Sequence, residues 1–168
     1  MSIEYSFIGV GNIARALLSA MSSLEGKLRS ESSDIFLFDK NEEQTSLYKA
    51  QGYNVCQSLC ECVERSDIIF LCVKPQNYRE VLESIRGMKI DLSNKTFVSV
   101  AAGISTEKIC KVIGSEVAVI RTMPNTPMTI GEVYALSAAI KASTQRYLRE
   151  FAELSPLRPS FWCLTSQR

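Results

Sequence analysis

The chain has 168 residues, 46% hydrophobic and 22% charged, enough for one domain with a core of its own or one domain plus a short appendage. Its 19 Lys and Arg against 18 Asp and Glu leave a net charge of +1, which argues against a nucleic-acid reader or a polybasic membrane binder. It contains no histidine, so a Ser-His-Asp or Cys-His triad, an HExxH zinc site and a histidine base are excluded.

Residues 5–10 read as an apolar strand ending in a glycine turn, and residues 12–23 as a helix with Ile13, Ala16, Leu17, Ala20 and Met21 on one face. A second strand is expected at 34–38, a second helix at 42–51 closed by Gly52, and a short third strand at 53–55. Residues 58–65 predict a helix with Leu59, Cys62 and Val63 inward, and 68–73 a fourth strand that stops at Lys74-Pro75. A helix through Tyr78, Val81, Leu82 and Ile85 precedes a fifth strand at 96–100. Ser105 caps a helix to Ile113, and 116–121 is the sixth strand. Strands apolar along their whole length, alternating with helices, predict an α/β fold: a Rossmann-like, doubly wound, mainly parallel sheet in three αβα layers.

Beyond Thr122 the pattern changes. Two prolines place Met123, Pro124, Asn125, Thr126 and Pro127 in a loop. Residues 131–137 read as extended, and Ser143 or Thr144 caps a last helix to Leu154; residues 155–168 show no usable periodicity. Cysteines at 56, 60, 62, 72, 110 and 163 form no CxxC pair, and C-x3-C-x-C matches no common zinc spacing, so no metal site is expected. Free thiols, no export signal and no apolar run of ~20 residues point to a cytoplasmic protein without membrane contact.

Gly9-Val10-Gly11-Asn12-Ile13-Ala14 is G-x-G-x-x-A between a strand and a helix. Gly9 makes the tight turn, Gly11 lets backbone approach a pyrophosphate, and Ala14 lets the helix pack close, with the helix-start N–H groups facing the anion. Asp39, at the end of the second strand, is placed to accept from the adenosine ribose, although a surface turn or helix cap would also use a carboxylate there. Lys40 and Asn41 are equally suited to a 2′-phosphate, so the residues leave NADH and NADPH open. Val73-Lys74-Pro75-Gln76 and Ala101-Ala102-Gly103 end the fourth and fifth strands, where ligands of open parallel sheets lie. By its chemistry alone Lys74 reads as a surface lysine. The Tyr-x-x-x-Lys dyad, a P-loop and any histidine acid/base pair are absent, leaving nicotinamide chemistry in which the protein positions more than it protonates.

Four blocks in order carry a resemblance: residues 7–14, residues 73–76, Val98-Ser99-Val100-Ala101-Ala102-Gly103-Ile104-Ser105, and Arg121-Thr122-Met123-Pro124-Asn125-Thr126-Pro127. Together they resemble pyrroline-5-carboxylate reductase, over residues 5 to about 137, with Met-Pro-Asn-Thr-Pro the most specific block. The resemblance implies hydride transfer from NADPH or NADH to the C=N carbon of 1-pyrroline-5-carboxylate, yielding proline. It assigns Ile8, Gly9, Val10, Gly11, Asn12 and Ile13 to the pyrophosphate turn, and Val73, Lys74 and Pro75 to the loop flanking the cofactor. It assigns Val100, Ala101 and Ala102 to the nicotinamide side, and residues 123–127 to the mouth of the substrate cleft.

Two departures stand out. Family members often carry an asparagine near the start of the short helix before the fourth strand, where this chain has Ser58-Leu59-Cys60. They also continue into a helical domain with a Gly-Ser-Gly-Pro-Ala motif, which builds the homodimer or larger assembly and completes the active site. No Gly-Ser-Gly-Pro occurs here. The expected organisation is therefore a dinucleotide-binding domain over 1–137 and, over 138–168, a helix and irregular tail left from a shortened dimerisation and catalytic domain. Two functions follow: the cofactor-binding part of a proline-forming reductase, or a dinucleotide-binding module without turnover of its own.

Overall fold

Six of the predicted apolar runs become strands of one sheet: β1 (Tyr5–Ile8), β2 (Ile35–Phe38), β3 (Asn54–Val55), β4 (Ile68–Leu71), β5 (Thr96–Ser99) and β6 (Ala118–Thr122). The computed structural model describes residues 3–23, 34–114, 117–122, 136–139 and 163–164. The strands lie in the order β3-β2-β1-β4-β5-β6, all parallel. The connecting helices are α1 (Asn12–Ser23), α2 (Glu42–Ala50), α3 (Leu59–Arg65), α4 (Tyr78–Arg86) and α5 (Thr106–Ile113). This is the predicted doubly wound α/β architecture. Because β2 lies on one side of β1 and β4 on the other, the winding reverses at β1, and a crevice opens there at the carboxyl ends of the strands.

Side chains alternate between the faces. Phe7, Phe70, Ile68, Val98 and Ile120 join Ala14, Leu18 and Met21 of α1 in one core. Ile8, Ile69, Leu71, Phe97 and Val119 join Tyr78, Val81, Leu82 and Ile85 of α4, with Ile109 and Ile113 of α5, in the other. The rings of Phe7 and Phe70 stack at 4.6 Å across β1 and β4. Helix starts are fixed by side chains: Asn41, Ser58 and Ser105 accept from the N–H groups of Glu43, Glu61 and Lys108.

Three expectations are adjusted. β1 and β4 stop at Ile8 and Leu71, short of Val10 and Val73, because Gly9 turns the chain with φ +89° and its neighbours turn with it. The buried stripe of α1 is Ala14, Leu18 and Met21, with Ile13 41% exposed. Met21 of the predicted face is buried and Leu17 partly so, while the stripe turns toward Ala14 and Leu18 because the glycine turn presses Ala14, not Ile13, onto the sheet. Finally, β7 (Leu136–Ala139) runs antiparallel beside β6, across the boundary expected at residue 137, and β8 (Cys163–Leu164) pairs with β7 inside the stretch that shows no periodicity. The helix expected from residue 143 or 144 to 154 lies outside the described residues. Among the described residues no helix is long and apolar enough to cross a membrane.

Candidate functional site

The ends of β1, β2 and β4 surround a cavity of about 300 Å³. Its floor is the glycine turn. A Cβ on Gly9 would lie 2.9 Å from the backbone nitrogen of Val73 and 3.0 Å from the carbonyl of Cys72, so only glycine lets β1 turn against β4 here. The turn is held on its other side by β2: the Gly9 N–H donates to the Phe38 carbonyl at 2.8 Å, and the Val10 N–H to Asp39 Oδ2 at 2.7 Å. Asp39 Oδ1 accepts from the Asn41 N–H at 2.9 Å. The Asp39 carboxylate is therefore a clasp between two strand ends, whatever else it meets.

Gly11 is different. A Cβ there would meet nothing within 4 Å, so the space above the start of α1 is open, and Gly11 itself lines the cavity. The first backbone bond of the helix runs from the Arg15 N–H to the Gly11 carbonyl. The first-turn N–H groups have no intrahelical acceptor, and they carry the positive end of the helix dipole. Donors without partners beside an open cradle fit the pyrophosphate of a dinucleotide.

The cavity brings together Ile8, Gly9, Gly11, Asp39, Lys40, Val73 and Lys74 among the predicted cofactor residues. Val10 is fully buried and contributes its N–H to Asp39. Asn12 and Ile13 lie exposed on the first turn of α1, and Pro75 opens a single 3-10 turn, Pro75–Asn77, leading into α4. Val100 and Ala101 are buried and Ala102 exposed at the end of β5, one strand beyond the cavity. The Tyr78 hydroxyl ties the β4 and β5 ends together, donating to the Leu71 carbonyl at 2.5 Å and lying 3.1 Å from Ser99 Oγ. Burial pushes the Tyr78 phenol up to about 12, against the opposing pull of hydrogen bonds from Ser99 and the backbone at Val100 and Ala101. Met123, Pro124, Asn125, Thr126 and Pro127 lie outside the described residues.

Sequence reasoning missed part of the wall. Gln44 of α2 and Leu59 of α3 line the cavity, Leu59 standing within the stretch where family members often carry an asparagine. Cys72, inside the apolar run expected at 68–73, is half-buried and also lines it; burial pushes its thiol up, so the side chain presents as an apolar wall. Asn77, at the end of the 3-10 turn, and Glu80 and Ser84 of α4 complete it beside the expected Val81. Their spacing of three and four was available as a signal, because it marks one helix face beside the apolar stripe that drew attention. Glu80 Oε1 meets Lys40 Nζ at 2.5 Å. Among the described residues no group of three or more Cys, Asp or Glu is placed to hold a metal ion.

A family model described as NADP oxidoreductase coenzyme F420-dependent matches residues 4–103. The chain belongs to that family. This NADP oxidoreductase family chain is 32% identical over 148 residues to the pyrroline-5-carboxylate reductase of Haemophilus influenzae, covering 88% of the chain and 52% of that protein. Its fold matches the pyrroline-5-carboxylate reductase of Coxiella burnetii with a TM-score of 0.77 at 22% identity, over 91% of this chain and 55% of that one. It also matches the pyrroline carboxylate reductase of Plasmodium falciparum, solved with NADP bound, with a TM-score of 0.70 at 24% identity, over 92% and 56%. The two structures establish a shared fold. The chain spans about half the length of the curated relatives it matches. The resemblance read from the four sequence blocks is borne out by these relatives, and the family description names NADP, one of the two cofactors expected.

Proposed function

We propose that this chain is the cofactor-binding part of a reductase that converts 1-pyrroline-5-carboxylate to proline with NADPH or NADH. The observation that carries the proposal is the contrast within the turn: Gly9 is packed against the Cys72–Val73 backbone while Gly11 opens onto the cavity with the α1 donors beside it. When bound, the nicotinamide supplies a hydride to the C=N carbon. The chain's own residues do the holding. The α1 start and Gly11 take the pyrophosphate, Asp39 and Lys40 stand at the adenosine end, and Val73, Lys74 and Pro75 flank the cofactor. Val100, Ala101 and Ala102 lie toward the nicotinamide. Residues 123–127 serve one wall of the substrate cleft in this proposal, which takes residues 1–137 as the cofactor domain, its sheet running on through β7 and β8.

A second function, a dinucleotide-binding module without turnover of its own, rests on the same turn and cavity, which need only the cofactor. Positioning an imine against a nicotinamide can supply ~7–11 kcal/mol of a barrier, so the two functions differ in whether the imine is held. Titration of the 168-residue chain with NADPH and NADH, followed by nicotinamide fluorescence, tests the site, and cofactor oxidation on adding 1-pyrroline-5-carboxylate tests turnover. Binding with turnover below ~1 s⁻¹ is the expected result for this chain alone. Failure to bind either nucleotide would overturn both functions.

A further inference from the structure

We propose that Glu80 sets the choice between NADH and NADPH at this site by occupying the ammonium that a 2′-phosphate needs. The proposal rests on the dinucleotide function above and concerns the adenosine end of the cavity. NADPH differs from NADH there by a single phosphate with charge close to −2. Its natural neighbours are the residues just past β2. Asp39 is anionic, and both of its oxygens are already engaged by the Val10 and Asn41 N–H groups, so it stays where it is and repels the phosphate. Lys40, next along, is the cation on hand, but its Nζ lies 2.5 Å from Glu80 Oε1 across the cavity rim, reaching from the end of β2 to α4. Lys74, the cavity's other ammonium, stands at the end of β4. Two carboxylates and two ammonium groups line the cavity, so it offers a 2′-phosphate no surplus of positive charge.

The pair is built to exchange. Its side chains are 71% and 64% exposed, and ion pairs in that setting are weak and easily re-partnered. Glu80 lies in the first turn of α4, whose positive N-terminal end favours a carboxylate with or without Lys40. Lys40 is therefore the movable member: a 2′-phosphate can draw it from Glu80, paying for the separation, while a ribose hydroxyl asks nothing of it. Glu80 thus acts as a competitor for NADPH and a bystander for NADH.

Calorimetric titration of the full chain and its E80Q, K40Q and E80Q/K40Q variants with NADPH, NADH, 2′,5′-ADP and 5′-AMP tests this. E80Q is expected to tighten NADPH and 2′,5′-ADP by about fivefold, the upper range for an exposed ion pair, and to leave NADH and 5′-AMP within about twofold. K40Q weakens the two 2′-phosphorylated ligands only, and the double variant loses the gain. Equal changes for both ligand classes, no change in E80Q, or a gain that survives in the double variant would each overturn the role of Glu80 while leaving the dinucleotide site standing. If the parent chain binds none of the four, the site itself is wrong and the proposal falls with it.

Discussion

Gly9 and Gly11 stand two residues apart in one turn, and the structure uses them oppositely. On the inner side, the hydrogen that replaces a side chain at Gly9 is enclosed by the Cys72–Val73 backbone, and φ is +89°. On the outer side, the missing side chain of Gly11 leaves open cavity, with φ outside the left-handed region. The same residue type serves the fold at one position and a ligand at the other. The difference separates what holds the turn from what the turn holds, and substitutions around it should sort the same way.

The largest loss belongs to Gly9→Ala. A methyl at 2.9 Å from backbone must displace β4, and a left-handed conformation adds its own cost, together about 2–4 kcal/mol. Urea unfolding should show a lower midpoint at unchanged slope; a loss under ~0.5 kcal/mol would mean that β1 and β4 are not wedged as described. Asp39→Ala comes next. It strips the acceptor from the N–H of fully buried Val10 and from Asn41, at a cost of about 1.5–3 kcal/mol for bonds to a charged group. It should weaken NADH as well, because the turn loosens. If Asp39→Ala weakens NADH with stability intact, the carboxylate is a ribose acceptor and not a clasp.

That dual role shows where the sequence was legible and where it stopped. Six strands, five helices and the cap Ser105 could be read because burial on both sides of a parallel sheet writes unbroken apolar runs, and a cap needs only a hydroxyl at a helix start. Gly9, Gly11 and Asp39 could be read as a constellation because strand, turn and helix put them in one order. The bond from Val10 to Asp39 could not, since it joins residues 29 apart through backbone that any residue carries. Glu80 was hidden for a related reason: its partner Lys40 is 40 residues away, and a charged position beside an apolar helical stripe looks like any solvated face. The extended reading of 131–137 reaches only the first two residues of β7, whose place between β6 and β8 depends on pairing that no local pattern records.

Tyr78→Phe probes the same fastening one strand over. Loss of the bonds to Leu71 and Ser99 should cost about 1–2 kcal/mol near neutral pH. The pH dependence identifies the cause. The unfolded phenol ionises near 10 while the folded one holds its proton to about 12, so the folded state binds more protons in between and stability falls as pH rises through that window. The Phe variant lacks that contribution, so the gap between parent and variant should narrow above about pH 10, with buried thiols affecting both alike. A gap independent of pH would mean that the phenol is not sealed between the β4 and β5 ends.

Gly11→Val should disturb the fold least, and it bears most directly on the comparison. Nothing occupies the space a side chain would enter, so no backbone has to move. The remaining cost is a poorer residue at the position before α1, about 0.5–1 kcal/mol. A branched side chain there nonetheless stands where a pyrophosphate must approach the α1 donors, so both nucleotides should bind at least about tenfold more weakly. The ratio of NADPH to NADH affinity should stay constant, since the pyrophosphate is common to both and Lys40 and Glu80 act only on the 2′ position. Parallel unfolding and binding measurements on Gly9→Ala and Gly11→Val then form a crossed pair. The first loses stability foremost, and the second loses ligand with the fold nearly intact. If Gly11→Val unfolds as readily as Gly9→Ala, the outer side of the turn is structural too. If it stays folded and binds both nucleotides like the parent, the open cradle does not hold a pyrophosphate.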